Sequence, residues 1–143
     1  MNPSSSDRPA RALVAHAFDR FAAGELEPLM TLLADDVVWE VKGSTSWSGV
    51  YTGKDALTQQ LLSPLFAALS APLVPRAIRI YADGTAVIVE WKGDALTQAG
   101  QPYRNDYCWI CEMNGEKIAR VSEYLDTALV ETVLGDKNPG AAR

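Results

Sequence analysis

Between Arg76 and Leu125 the chain alternates apolar and polar residues with the period of a β-strand, broken by turn-forming residues and not by helices. The spacing predicts strands over Arg76–Ala82, Thr85–Gly93, Tyr103–Met113 and Lys117–Leu125. "ADGT" reads as a tight hairpin turn and "DALTQAGQP" as a longer loop. The first half has a different rhythm. Asp7 can cap a helix with Pro9 in its first turn and Gly24 at its end, and Leu13, Val14, Ala17, Phe18 and Phe21 share one face of it. A short helix from Pro28 to Leu33, a strand Val37–Lys42, the loop "KGSTSWSG" and a brief extended "GVYTG" follow. Lys54 to Leu69 is helical again, with Pro64 placed to kink or divide it, and a last short helix covers Asp126–Leu134. Helices first and a run of antiparallel strands afterwards make an α+β fold.

At 143 residues this is one domain: residues 7–135 carry the pattern, with a disordered tail at 1–6 and a flexible one at 136–143. The net charge of −5 and the lack of a basic stripe argue against nucleic acid as a partner. No apolar run reaches the ~18 residues that span a bilayer. The start, "MNPSSSDRPARA", has no apolar core of a secretory signal, so the expected compartment is the cytoplasm. Gly49 and Gly53 fit neither phosphate-binding glycine pattern. His16, the sole histidine, points away from the apolar face of its helix, which leaves no Ser-His-Asp arrangement to build. Cys108 and Cys111 lie mid-strand, three apart and on opposite faces, an unsuitable setting for a redox pair. One exposed histidine and two such cysteines cannot assemble a zinc site, and no metal or cofactor is expected.

The stretch "YRNDYCWICEMNGEKIARVSEYLDT" holds the candidate chemistry. Tyr103, Asn105, Tyr107, Trp109, Cys111 and Met113 form its more apolar face, and Glu123 interrupts the apolar face of the following strand. A three-residue loop over Met113–Gly115 would pair Asn105 with Glu123. It would also avoid the Asp106–Glu123 contact that a two-residue Asn114-Gly115 loop enforces. A carboxylate on an aromatic, half-dry face has its pKa pushed up by desolvation, whereas one at a sheet end simply reaches water. The residues leave both readings open. In the preceding strand, composition favours burying Val87, Val89 and Trp91 and leaving Glu90 and Lys92 in solvent.

Three stretches together resemble a SnoaL-like protein of the nuclear transport factor 2-like superfamily: "FAAGELEPLMTLLADDVVWEV", "WSGVYTGKDAL" and "YRNDYCWICEMNGEKIARVSEYLDTALV". Ketosteroid isomerases and limonene epoxide hydrolases are relatives. The resemblance implies a curved antiparallel sheet wrapped on helices, a cystatin-like α+β barrel whose cone-shaped pocket takes a small molecule, in a homodimer. The isomerase base falls at Val41 and its helix tyrosine near Ala17, so steroid isomerisation is not implied. The epoxide hydrolase Tyr and Asn fall at Trp39 and Val41, its Arg and Asp at Glu90 and Lys92, and its late Asp at Glu123. That register turns Glu90 and Lys92 inward, against composition, and it is favoured because the spacing from Lys92 to Glu123 matches without a gap.

SnoaL-like cyclases work without metal or cofactor through a carboxylic side chain. The expectation is therefore a cofactor-independent small-molecule enzyme of isomerase, cyclase or hydrolase type. Glu123 would be its general base, Lys92 would stabilise the oxyanion or return the proton, Glu90 would stand with them as a catalytic candidate, and Asn105 or Tyr107 would orient the substrate. Trp39, Val41, Trp47, Tyr51 and Trp109 would complete the pocket. The alternatives are a non-catalytic dimeric small-molecule-binding module and an epoxide hydrolase-like activity.

Overall fold

A computed structural model of the chain describes residues 7–138, so the tail expected at 1–6 and residues 139–143 of the other tail lie outside it. Helix α1 (Asp7–Ala22) and helix α2 (Glu27–Leu32) precede strands β1 (Leu33–Val41) and β2 (Gly49–Thr52). Helix α3 (Lys54–Leu57) runs through a π-helical turn (Thr58–Leu62) into α4 (Ser63–Ala68). Pro64 explains the wide turn. Lacking an N–H, it cannot continue the α ladder, and Ser63 N–H reaches back five residues to the Thr58 carbonyl. Strands β3 (Val74–Asp83), β4 (Ala86–Leu96), β5 (Pro102–Asn114) and β6 (Lys117–Leu125) follow. Short helix α5 (Thr127–Leu129) then leads into a second π turn (Val130–Leu134).

The six strands form one curved, unclosed sheet in the order β2-β1-β6-β5-β4-β3. The sheet is not wholly antiparallel, because β1 and β6 run parallel, with Trp39 opposite Val121 and Val41 opposite Glu123. The chain between them is long enough to supply the crossover that a parallel pair needs. One sheet face is dry. It carries Trp39 and Val41 from β1, Val87, Val89 and Trp91 from β4, and every odd residue of β5 from Tyr103 to Met113. Val14, Ala17, Phe18 and Phe21 of α1 cover it, with Phe18 and Phe21 packed edge-on against the Trp91 ring at 5.6 and 5.9 Å. His16 is exposed, as its position on the helix requires. On β4, Gly93 leaves no room above its backbone: a Cβ there would lie 2.9 Å from the Tyr107 ring and 3.0 Å from the Leu73 side chain.

The hairpin register differs from the expected one. Asn114 pairs with Lys117, so the turn is the two residues Gly115-Glu116, with Gly115 at φ 63°. Just beyond it β6 takes one extra residue, so that Met113 faces Ile118 while Glu112 faces Arg120. That bulge changes which residues of β6 point inward. Ile118 is buried near the turn, and Val121 and Glu123 are buried further along. Glu123 consequently stands opposite Trp109, not Asn105. The bulge also sets Arg120 beside Glu112, within 3.9 Å, and Glu40, at 2.9 Å, so opposite charges meet on the outer face.

Candidate functional site

Glu123 is the residue around which a site is built. Its strand lies between β5 and β1, so its cross-strand neighbours are Trp109 on one side and Val41 on the other. Trp39 sits two residues before Val41 on the same face of β1. The two indoles meet edge to face, centroids 4.7 Å apart, and both aim their N–H groups at the carboxylate. Trp109 Nε1 donates to Oε2 at 2.8 Å and Trp39 Nε1 donates to Oε1 at 3.2 Å. Each oxygen keeps a second lone pair for a substrate.

Glu123 is 8% exposed, and among the described residues no cation faces its carboxyl from the chamber walls. Burial pushes its pKa up, and the hydrogen bonds from Trp109 and Trp39 pull against that without cancelling it. Glu123 opens into a chamber of about 80 Å³ whose other walls are aromatic and aliphatic: Trp39, Val41, Trp47, Tyr107 and Trp109 from the sheet side, and Leu57, Leu61, Leu62 and Leu65 from the α3–α4 segment. Among the described residues it is the only charged side chain on the chamber wall. A lone carboxyl in an apolar chamber is costly to the fold, which marks it as a functional candidate.

A second polar feature lines the same chamber. The Tyr107 hydroxyl donates to the Tyr103 hydroxyl at 3.2 Å, and Asn105 Nδ2 donates to the same Tyr103 oxygen at 3.0 Å. Two hydroxyl protons thus share one contact, and one proton is left over for a chamber ligand. Burial raises the pKa of both tyrosines, Tyr107 well above its ordinary value, so both are neutral donors. The bonds that Tyr103 accepts work in the opposite direction and polarise its O–H.

The predicted site residues divide into three groups. Glu123, Trp39, Val41, Trp47, Tyr107 and Trp109 meet at the chamber. Asn105 and Tyr51 are buried behind its walls. Asn105 accepts from Asp126 N–H at 2.9 Å and donates to the Asp126 carbonyl at 3.2 Å, so its amide ties β5 to the end of β6 and steadies Tyr103. Tyr51 donates to the Trp47 carbonyl at 2.7 Å and accepts from Lys137 Nζ at 2.9 Å, while Trp47 Nε1 donates to the Gly135 carbonyl. The third group, Glu90 and Lys92, corrects the inward placement. Both point to the outer face, where Lys92 pairs with Asp106 and both line an open groove away from Glu123. The period of β4 buries Val89 and Trp91, and their even-numbered neighbours must then face outward.

Sequence reasoning passed over Tyr103, although it lies on the face of β5 that holds Tyr107 and Trp109. It also passed over Leu57, Leu61, Leu62, Leu65 and Phe66, whose helical spacing was the available signal and reads equally as ordinary core. Among the described residues no three His, Cys, Asp or Glu side chains converge to hold a metal ion. No described helix is long and apolar enough to cross a membrane.

Comparison with known proteins decides the family, because a model of the SnoaL-like domain matches residues 14–121. The chain belongs to the SnoaL-like family. No curated protein matches it. Solved structures share the fold at low identity. A provisionally named SnoaL-like polyketide cyclase from Jannaschia sp. CCS1 is 12% identical with a TM-score of 0.76, covering 94% of this chain and 97% of its own. A provisionally named isomerase from Bacillus subtilis is 21% identical with a TM-score of 0.72, covering 90% and 94%. TerC, crystallised with polyporic acid, is 18% identical with a TM-score of 0.73, covering 88% and 98%. The membership of this SnoaL-like chain accounts for the helices packed on a curved, unclosed sheet. The fold alone does not set what the chamber does; the side chains on its walls do.

Proposed function

We propose that this SnoaL-like protein is a cofactor-independent enzyme acting on an uncharged carbon acid, with Glu123 as its general base and acid. The observation that carries the proposal is a buried carboxyl, raised in pKa, standing as the only charge among the described residues of an apolar chamber wall. Glu123 takes a proton from carbon next to a carbonyl. The C–H electron pair becomes the enolate double bond, and the enolate oxygen accepts the spare hydroxyl proton of the Tyr103–Tyr107 pair as a hydrogen bond. Where a second C=C is conjugated with the enolate, Glu123 then returns its proton to the far carbon of that dienolate, the double bonds shift and the C=O re-forms, which is isomerisation. Alternatively, the enolate carbon attacks a second carbonyl of the same molecule, whose oxygen takes that proton, which is ring closure. In this reading Lys92 has no part, and Asn105 acts by holding Tyr103. The protein works in the cytoplasm as a homodimer, for which Tyr81 and Tyr124 offer exposed aromatic area on the outer sheet face.

The test is exchange of α-protons into deuterated solvent, followed by NMR across a panel of neutral ketones and diketones. The wild type exchanges at least one of them, and Glu123→Gln slows that exchange by ~10²–10⁴. A Gln variant exchanging at the wild-type rate overturns the proposal. The second reading is a binding module without catalysis, favoured by the outward placement of Glu90 and Lys92, which leaves Glu123 without a second charged group. It predicts binding of the same panel and no exchange by the wild type.

A further inference from the structure

The chamber is small for a whole substrate. Its 80 Å³ is about half the ~150 Å³ of an engineered cavity that holds benzene, and ordinary ligand sites run to several hundred. A second depression adjoins it. Phe21, Leu26, Phe66 and Leu73 line both the chamber and an apolar groove of about 440 Å³, which Leu69 and Pro72 continue outward. Among the described residues its one side-chain polar group is the Ser70 hydroxyl, and no charged residue lines it. The groove floor is braced: Ser70 N–H donates to the Leu96 carbonyl at 2.9 Å, Gln98 N–H to the Ala68 carbonyl at 3.0 Å, and Gln98 Nε2 to the Leu69 carbonyl at 2.7 Å. A groove held by these bonds keeps its shape without a ligand, which lowers the ordering cost of binding.

We infer that the substrate is a head-and-tail molecule, its compact carbonyl head in the chamber against Glu123 and an unbranched apolar tail laid along this groove. The inference rests on the chamber being the substrate site. The occupant is a tail and not a second polar head, because the walls offer no charge and a single hydroxyl. The four side chains shared by chamber and groove form the common wall at which head and tail join in one ligand. Phe66, 38% exposed on a helix with no buried residue, is the side chain at the junction that an arriving tail covers. Exposed apolar surface beside a too-small chamber is what such a tail removes from water.

The test is a homologous series of methyl ketones from butanone to undecanone, titrated against the tryptophan fluorescence of the full chain, since Trp39, Trp47 and Trp109 line the chamber. Affinity is expected to rise about fourfold per added methylene, the increment for full burial of a CH₂, until the tail outgrows the groove. Ala71→Glu, at an exposed position on the groove wall, should flatten the rise beyond the shortest ketones while leaving butanone binding unchanged. A series without chain-length dependence overturns the inference, and so does a rise that survives Ala71→Glu. Glu123→Gln separates the two proposals. It should slow proton exchange by ~10²–10⁴ yet keep the chain-length dependence, so failure of the base assignment leaves the tail site standing, and the reverse holds too.

Discussion

Replacing Trp109 by Phe removes one of the two N–H donors to Glu123 and keeps an aromatic ring in place. Two effects should appear, and pH separates them. The smaller ring loosens contacts with Phe18, Trp39 and Trp91, whose centroids lie 5.2, 4.7 and 5.3 Å away, at a cost of about 1–3 kcal/mol at every pH. The lost hydrogen bond costs more when Glu123 is ionised, ~1.5–3 kcal/mol, than when it is protonated, ~0.5–1.5 kcal/mol. An acid whose folded-state pKa is raised binds more protons folded than unfolded. Its stabilising contribution is therefore present at low pH and falls as pH rises from the ordinary glutamate value through the raised one. The variant loses a group that favours the anion, so its decline should be deeper and extend to higher pH. Urea unfolding followed by far-UV circular dichroism across that range should show a destabilisation that grows by about 1–1.5 kcal/mol from the acid to the alkaline end. A destabilisation constant with pH to within a few tenths would refute the bonded, ionisable Glu123. Trp39→Phe, removing the longer bond of 3.2 Å, should show the same trend with a smaller amplitude.

Lys92→Met should change stability by less than ~0.5 kcal/mol and leave Glu123-dependent proton exchange within twofold of wild type, because it removes only a half-exposed outer pair. A tenfold loss of exchange would put Lys92 back in the site. Gly93→Ala should lower stability by ~1–3 kcal/mol in the same urea assay, since its Cβ is pressed against Tyr107, Leu73 and Trp91. Burial pushes the Cys111 thiol up to about 12, so in the native protein a thiol-reactive probe at mildly alkaline pH should label Cys108 and spare Cys111 until the chain unfolds, as peptide mass mapping would reveal. Asn105→Leu should cost ~1–3 kcal/mol by stranding the Asp126 N–H, and it should slow proton exchange more than it weakens ketone binding, because Tyr103 loses a partner and not its place.

Period alone located the strands of the second half and the dry face of β5, where Tyr103, Asn105, Tyr107, Trp109, Cys111 and Met113 are all buried as their parity demands. It failed in β6. The bulge near Ala119 shifts parity by one residue, and nothing in "KIARVSEY" marks the insertion except the gain from setting Arg120 against Glu112. Glu123 nevertheless reached the inner face, because expected and observed registers agree in parity beyond the bulge. Glu90 and Lys92 show the opposite lesson. Composition placed them correctly in solvent, and a correspondence with distant relatives turned them inward, since matching spacing along a strand does not fix which face its residues take. The chamber's helical wall was illegible for a simpler reason. Leu61 or Leu65 beside a cavity has the same pattern as a leucine packed in a core, and only the space left between elements tells them apart.

The parallel pairing of β1 with β6 bears on how the chain is made. Until β6 is available, β1 and β2 form a lone hairpin and β3, β4 and β5 a separate meander, each with an open edge, and a lone hairpin is marginal in water. Trp39 and Glu123 are 84 residues apart, so a ribosome must release nearly the whole domain before they meet. The carboxyl is among the last groups of the domain to be made, and the cost of drying it falls on the closing step, when one strand docks into the gap and joins two half-sheets. A nascent chain stalled before Lys117 should accordingly be captured by chaperones, and release should follow once Leu125 has cleared the exit tunnel.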